Sequence, residues 1–77
     1  MSGRVKSAAS CALGATIRAA RSERGYSQEG FAVHAGLDRS YFGAIERGEF
    51  NITLATLLKI ADGLGVRAST LLRRARL

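Results

Sequence analysis

Proline and tryptophan are absent from this 77-residue chain, cysteine, histidine and methionine occur once each, and 6 acidic residues stand against 12 lysines and arginines. Each scarcity removes a class of explanation. With Cys11 alone there is no intramolecular disulfide, which fits a reducing compartment, and its expected place is a small, buried or half-buried position. One histidine (His34), one cysteine and scattered acids supply neither a metal-ligand set nor a catalytic constellation. The sequence therefore predicts no enzyme, no metal, no cofactor and no small-molecule ligand. No apolar run approaches the ~20 residues that span a bilayer. The Ser/Ala-rich stretch after Arg4 and Lys6 is broken at Arg18 and makes a poor secretion signal. The expected location is the cytoplasm, with no membrane partner. Alternating β-branched residues are missing as well, so no strand is predicted.

What is present reads as helices. The expectation is an all-α, compact five-helix domain over residues 10–77, preceded by a flexible arm over residues 1–9. Leu13, Ile17 and Ala20 recur at helical spacing from about Ser10 to Arg24, with Arg18, Arg21 and Arg24 as a basic ridge beside them. Leu54, Leu57, Leu58, Ala61 and Leu64 mark a fourth helix capped by Thr53, with Gly63 and Gly65 at its end. A last helix runs from roughly Ala68 to Ala75.

The segment SQEGFAVHAGLDRSYFGAIERG, residues 27–48, carries the most information. Ser27 is placed to cap one short helix that Gly36 ends, and Asp38 to cap a second that stops before Gly48. Phe31, Ala32, Ala35, Phe42 and Ile45 face inward on this reading, while Arg39, Ser40, Tyr41 and Ala44 point outward. Two short helices joined by a tight turn suit insertion into the DNA major groove. Charge agrees: the first 24 residues carry net +4, the last 11 carry +4 and the middle −2. Such a field attracts a polyanion, either nucleic acid or an anionic membrane surface. A membrane-surface helix formed by Leu71, Leu72 and Leu77 opposite the terminal arginines is the lesser reading.

Ser-Gln opening the second helix, Ala-Gly-Leu at the turn, Ile-Glu-Arg-Gly closing the third and Leu-x-x-Leu-x-Lys-Ile-Ala in the fourth together resemble the phage-repressor-like (Cro/C1, Xre) helix-turn-helix family over about residues 13–75. Arg-Ser-Tyr, Asn-Ile-Thr-Leu and the short ending are further similar to controller proteins of restriction–modification systems. The resemblance implies a transcriptional regulator that binds double-stranded DNA as a homodimer on a palindromic operator and could contact RNA polymerase. The alternative is an antitoxin-type or other stand-alone Xre repressor that also binds a protein partner.

The same resemblance implies roles for particular residues. Arg39, Ser40, Tyr41 and Ala44 would read bases, a guanidinium being able to donate two hydrogen bonds to guanine. Ser27, Gln28, Arg47 and Asn51 would hold phosphates, and Arg21 with Glu46 would form a structural ion pair. Leu64, Val66, Leu71 and Leu72 are the expected dimer surface, since they exceed the apparent needs of a small core.

Overall fold

The computed structural model describes residues 6–77, so residues 1–5 of the expected arm lie outside the described residues. Five helices follow in order: α1 (Ala8–Glu23), α2 (Gln28–Ala35), α3 (Arg39–Glu46), α4 (Leu54–Leu64) and α5 (Ala68–Arg74). No strand is formed among the described residues.

Helix α1 begins two residues earlier than its apolar spacing suggests. Ser7 and Ser10 form a reciprocal capping box, each side chain accepting the other's backbone N–H, which satisfies two of the donors that a helix start leaves without partners. Ala8 and Ala9 are thereby helical. Ser27, Asp38 and Thr53 cap α2, α3 and α4 as expected, each side chain accepting a backbone N–H three residues on. Gly36 and Gly65 end α2 and α4 in the left-handed conformation, where a side chain would strain the backbone.

The core sits where α1, α2, α3 and α4 converge, with α5 closing one end. Phe31 and Phe42 are fully buried with ring centroids 5.1 Å apart, and Ile17, Ala20, Ala32, Ile45, Leu57, Ile60, Ala61, Leu64 and Leu71 complete it. In α4 the buried stripe is Leu57, Ile60, Ala61 and Leu64. Leu54 and Leu58, expected on that stripe, are 69% and 52% exposed. The helix is apolar over a wider arc than one domain covers, so its flank is left uncovered.

Two expected dimer residues are corrected here. Leu64 and Leu71 are 1% and 0% exposed and belong to the core of the single chain. The reason is that α5 folds back on α1, where Arg74 pairs with Glu23 at 3.1 Å, so its inward leucine meets the end of α4. Val66 and Leu72 remain half-buried.

Close approach of α1 to the end of α3 depends on two glycines. A Cβ on Gly14 would collide with the backbone carbonyls of Ile45 and Glu46, and one on Gly48 would lie 2.6 Å from the Cα of Cys11. Ser10 Oγ donates to the Gly48 carbonyl across the same contact, at 2.6 Å. Gly14→Ala is expected to lower the melting temperature. Overpacking against backbone has no rotamer to relieve it and falls toward the upper end of about 1–3 kcal/mol, which exceeds the ~1 kcal/mol that alanine gains in helix propensity. Thermal unfolding followed by circular dichroism measures this, and a melting temperature at or above that of the parent would contradict the packing argument.

Candidate nucleic-acid interface

The orientation of α2 against α3 is set by a buried polar network. Arg21, on the inner face of α1, donates from Nε to Glu46 Oε2 at 2.7 Å and from Nη2 to Glu46 Oε1 at 3.2 Å. Its Nη1 donates to the Tyr26 carbonyl at 2.8 Å. Gln28 Nε2 donates to Glu46 Oε1 at 2.8 Å. One carboxylate thus joins α1, the start of α2 and the end of α3, and the Arg21 and Glu46 side chains are only 11% and 2% exposed. Such bidentate, charge-assisted bonds fix direction as well as distance. The expected ion pair is present. Its formation breaks the expected basic ridge, because Arg21 turns inward while Arg18 and Arg24 stay at the surface.

The turn itself is short. After Gly36 the N–H of Leu37 reaches back to the Ala32 carbonyl at 2.8 Å, and Asp38 Oδ2 accepts the Tyr41 N–H at 3.0 Å. Helix α3 therefore starts immediately past the turn and presents Arg39 and Ser40 to solvent. Between α2 and α3 lies an open polar groove of about 260 Å³ lined by Gln28, Arg39, Ser40, Gly43 and Arg47. Gly43 makes room for it, since a methyl at that position would stand 3.1 Å from Gln28 Oε1 and 3.2 Å from Arg47 Nη1.

The expected site residues do not all gather there. Ala44 is 4% exposed: it lies one turn after Ser40, on the face opposite Phe42, and is covered by the side chains around it, Ser40, Tyr41, Arg47 and Phe50. Tyr41 is half-buried and packs its ring edge-to-face on Phe50, centroids 5.1 Å apart. A second shallow recess of about 280 Å³, lined by Ser40, Tyr41, Ala44, Arg47 and Phe50, flanks the first. Ser40 and Arg47 form the ridge between the two. Ser27, at the head of α2, accepts the Gly30 N–H at 2.9 Å. Asn51 is not part of the polar groove; its Oδ1 lies 3.5 Å from Ser7 Oγ, and the residue borders an apolar cleft that includes Leu13, Leu54, Leu57 and Leu72.

Phe50, Gly43 and Glu49 also take part. Phe50 was legible only as an apolar residue in a loop, because its partner Tyr41 is a full helix away. Gly43 reads as a helix weakener until the side chains that fold over it are known. Glu49 accepts a hydrogen bond from Arg47 Nε at 2.6 Å, a pairing for which the i, i+2 spacing outside a helix gives no rule. His34 stacks on Tyr26 with centroids 5.1 Å apart and places Nε2 3.2 Å from the Gly63 carbonyl, which ties α2 to α4. Among the described residues no cluster of three potential metal ligands occurs, and no helix is long and apolar enough to cross a membrane.

Comparison with known proteins bears on this geometry. The family pattern HTH_3, described as helix-turn-helix, matches residues 17–71. A hypothetical transcription factor from Neisseria meningitidis is 45% identical over 60 residues, an alignment spanning 78% of this chain and 57% of that protein. The crystal structure of the restriction–modification controller protein C.AhdI from Aeromonas hydrophila is similar, with a TM-score of 0.78 and 40% identity, covering 80% of this chain and 94% of that one. The regulator of biofilm formation SinR, solved in complex with DNA, superimposes with a TM-score of 0.74 at 38% identity, covering 78% and 97% of the two chains.

Proposed function

The chain belongs to the helix-turn-helix family HTH_3, and from that premise we propose that it is a transcriptional regulator of the restriction–modification controller type, binding double-stranded DNA as a homodimer on a palindromic operator. One observation carries the reading: Arg39 and Ser40 stand exposed at the start of a short helix, over an open polar groove that Arg47 and Gln28 also line, on a base made rigid by a buried ion pair. Rigid presentation of a few donors is what direct readout of base edges requires. Arg39 is the base reader, with Ser40 and the Tyr41 hydroxyl beside it. Arg47 and Gln28, which line the groove, and Ser27 at the head of α2 are assigned to phosphates, since the N–H groups at the start of α2 favour an anion. Asn51 reaches the backbone only if the duplex extends to the start of α1.

A single α3 contacts too few base pairs for strong selection, so two copies should address half-sites about one helical turn apart. The surface for that pairing is redrawn by the exposed apolar side chains: Leu54 and Leu77, 69% and 54% exposed, line an apolar cleft with Leu72, and Leu58, 52% exposed, stands one turn after Leu54 beside the recess that Val66 lines. Selection of bound duplexes from a random pool tests the whole reading. The expected outcome is a two-fold symmetric consensus bound by a species of twice the chain mass in sedimentation; recovery of no enriched sequence would refute it. For a dimer neutralising roughly six phosphates, log affinity should fall against log salt with a slope near −5. A flat dependence would remove the phosphate contacts from the proposal.

A further inference from the structure

Cys11, Gly14, Arg18 and Arg21 recur along α1 at intervals of three, four and three residues, the spacing of one helix face. Three of the four are seated against the end of α3. Gly48 lies against Cys11, the Ile45 and Glu46 carbonyls lie against Gly14, and Arg21 holds the Glu46 carboxylate at 2.7 Å. Arg18, the fourth, is exposed and forms no ion pair among the described residues. Helical side chains lean toward the N-terminus of their own helix, so Arg18 inclines toward the turn of α1 that meets Ile45 and Glu46. Arg47 follows Glu46 directly and lines the polar groove.

We propose that Arg18 binds a backbone phosphate of the duplex, so that the DNA-contacting surface continues from the helix-turn-helix onto α1. The inference rests on the DNA-binding reading above. Charge gives the reason for a cation from outside the motif. Residues 25–66 carry net −2, and of the two arginines on the groove Arg47 is already paired with Glu49. Attraction to phosphate supplies essentially all non-specific binding and a large share of specific binding, and the packing of α1 brings a positive charge from the basic first segment to the end of α3. An unpaired guanidinium gives up no protein partner when it meets phosphate oxygens, to which it can donate two hydrogen bonds. A cation at this place also suits the partial negative charge of the last α3 carbonyls; that role would act on folding, the proposed one on DNA. The other flank of α1 differs. Glu23, five residues on and so rotated by about 140°, is joined to Arg74 at 3.1 Å, which places the α5 arginines on that side of the helix.

Arg18→Gln and Arg73→Gln each remove one exposed positive charge, the first beside the end of α3 and the second on α5. Fluorescence anisotropy over a salt series, on the selected site and on an unrelated duplex, should show Arg18→Gln binding both about eightfold weaker per bound subunit near 0.1 M salt, with a slope shallower by about 0.9 per subunit. Site preference should be unchanged, since a phosphate contact carries no sequence information. Arg73→Gln should weaken binding by less than about twofold, because exposed charges more than about 10 Å apart are largely screened at that ionic strength. Arg18→Lys should retain most of the affinity, an ammonium sufficing as a point charge on phosphate. The melting temperatures of all three should stay within about 4 °C of the parent, as for surface substitutions in a domain of this size. Equal losses from Arg18→Gln and Arg73→Gln, an unchanged slope for Arg18→Gln, or a loss that comes with a larger fall in melting temperature would overturn the proposal. A flat slope for the parent chain would count against the DNA-binding reading itself, whereas a steep parent slope that Arg18→Gln leaves in place removes Arg18 alone.

Discussion

Glu46→Ala is expected to cost roughly 3–5 kcal/mol of folding stability, because it strands the Arg21 guanidinium in a site from which water is largely excluded. Arg21 is 9% exposed as a residue, and two of its nitrogens donate to that carboxylate. For a domain of this length total stability is roughly 4–12 kcal/mol, so the loss is between a quarter and all of it. The melting temperature should drop by roughly 12–40 °C, at about 4–8 °C for each kcal/mol in a domain of this size. Replacing both partners, Arg21→Met with Glu46→Leu, should recover more than half of the loss, since apolar groups of similar volume leave no buried charge. Gln28→Ala removes one arm and leaves the ion pair, and should cost about 1.5–3 kcal/mol, in line with a single hydrogen bond to a charged group. Thermal and urea unfolding of the three variants checks the ranking. A Glu46→Ala loss below about 1 kcal/mol, the range of solvent-exposed pairs, would mean that the network does not carry the orientation of α2 and α3.

Local rules made most of this fold legible in the sequence. Caps are short-range chemistry: Ser27, Asp38 and Thr53 each needed only a backbone N–H three residues away, and each accepts one. Gly36 and Gly65 are equally local. The ion pair became legible through resemblance alone, since Arg21 and Glu46 are 25 positions apart and nothing in either neighbourhood announces a partner. Outward and inward faces were harder. Ala44 lies one turn after Ser40, and a helix of 8 residues wedged between neighbours exposes little beyond its first turn. The apolar surplus is legible in the sequence, but its location depends on where α5 docks. That docking buries Leu64 and Leu71 and leaves Leu54, Leu58 and Leu77 uncovered, a tertiary outcome that periodicity within either helix does not specify.

Arg39→Ala is expected to abolish most discrimination between the selected site and other duplexes while leaving the fold intact. The side chain is exposed at the first position of α3, where a positive charge opposes the helix dipole, so its removal should be neutral or slightly stabilising. A bidentate arginine–guanine pair is worth about 1–3 kcal/mol. Two-fold symmetry doubles this to about 2–6 kcal/mol across an operator, a loss of about thirtyfold or more at roughly 1.4 kcal/mol per factor of ten. Affinity for unrelated DNA should fall much less, by about one phosphate contact per subunit if the guanidinium also feels the backbone. Arg39→Lys should not restore selectivity, because an ammonium cannot offer two parallel donors to one base edge. Arg47→Ala provides the contrast, weakening selected and unrelated duplexes by the same factor, since a phosphate clamp positions the helix without reading sequence. If Arg39→Ala instead lowers both affinities equally, the guanidinium contacts phosphate, and base reading passes to Ser40 and the half-buried Tyr41, whose hydroxyl would then have to reach a base edge past the Phe50 ring.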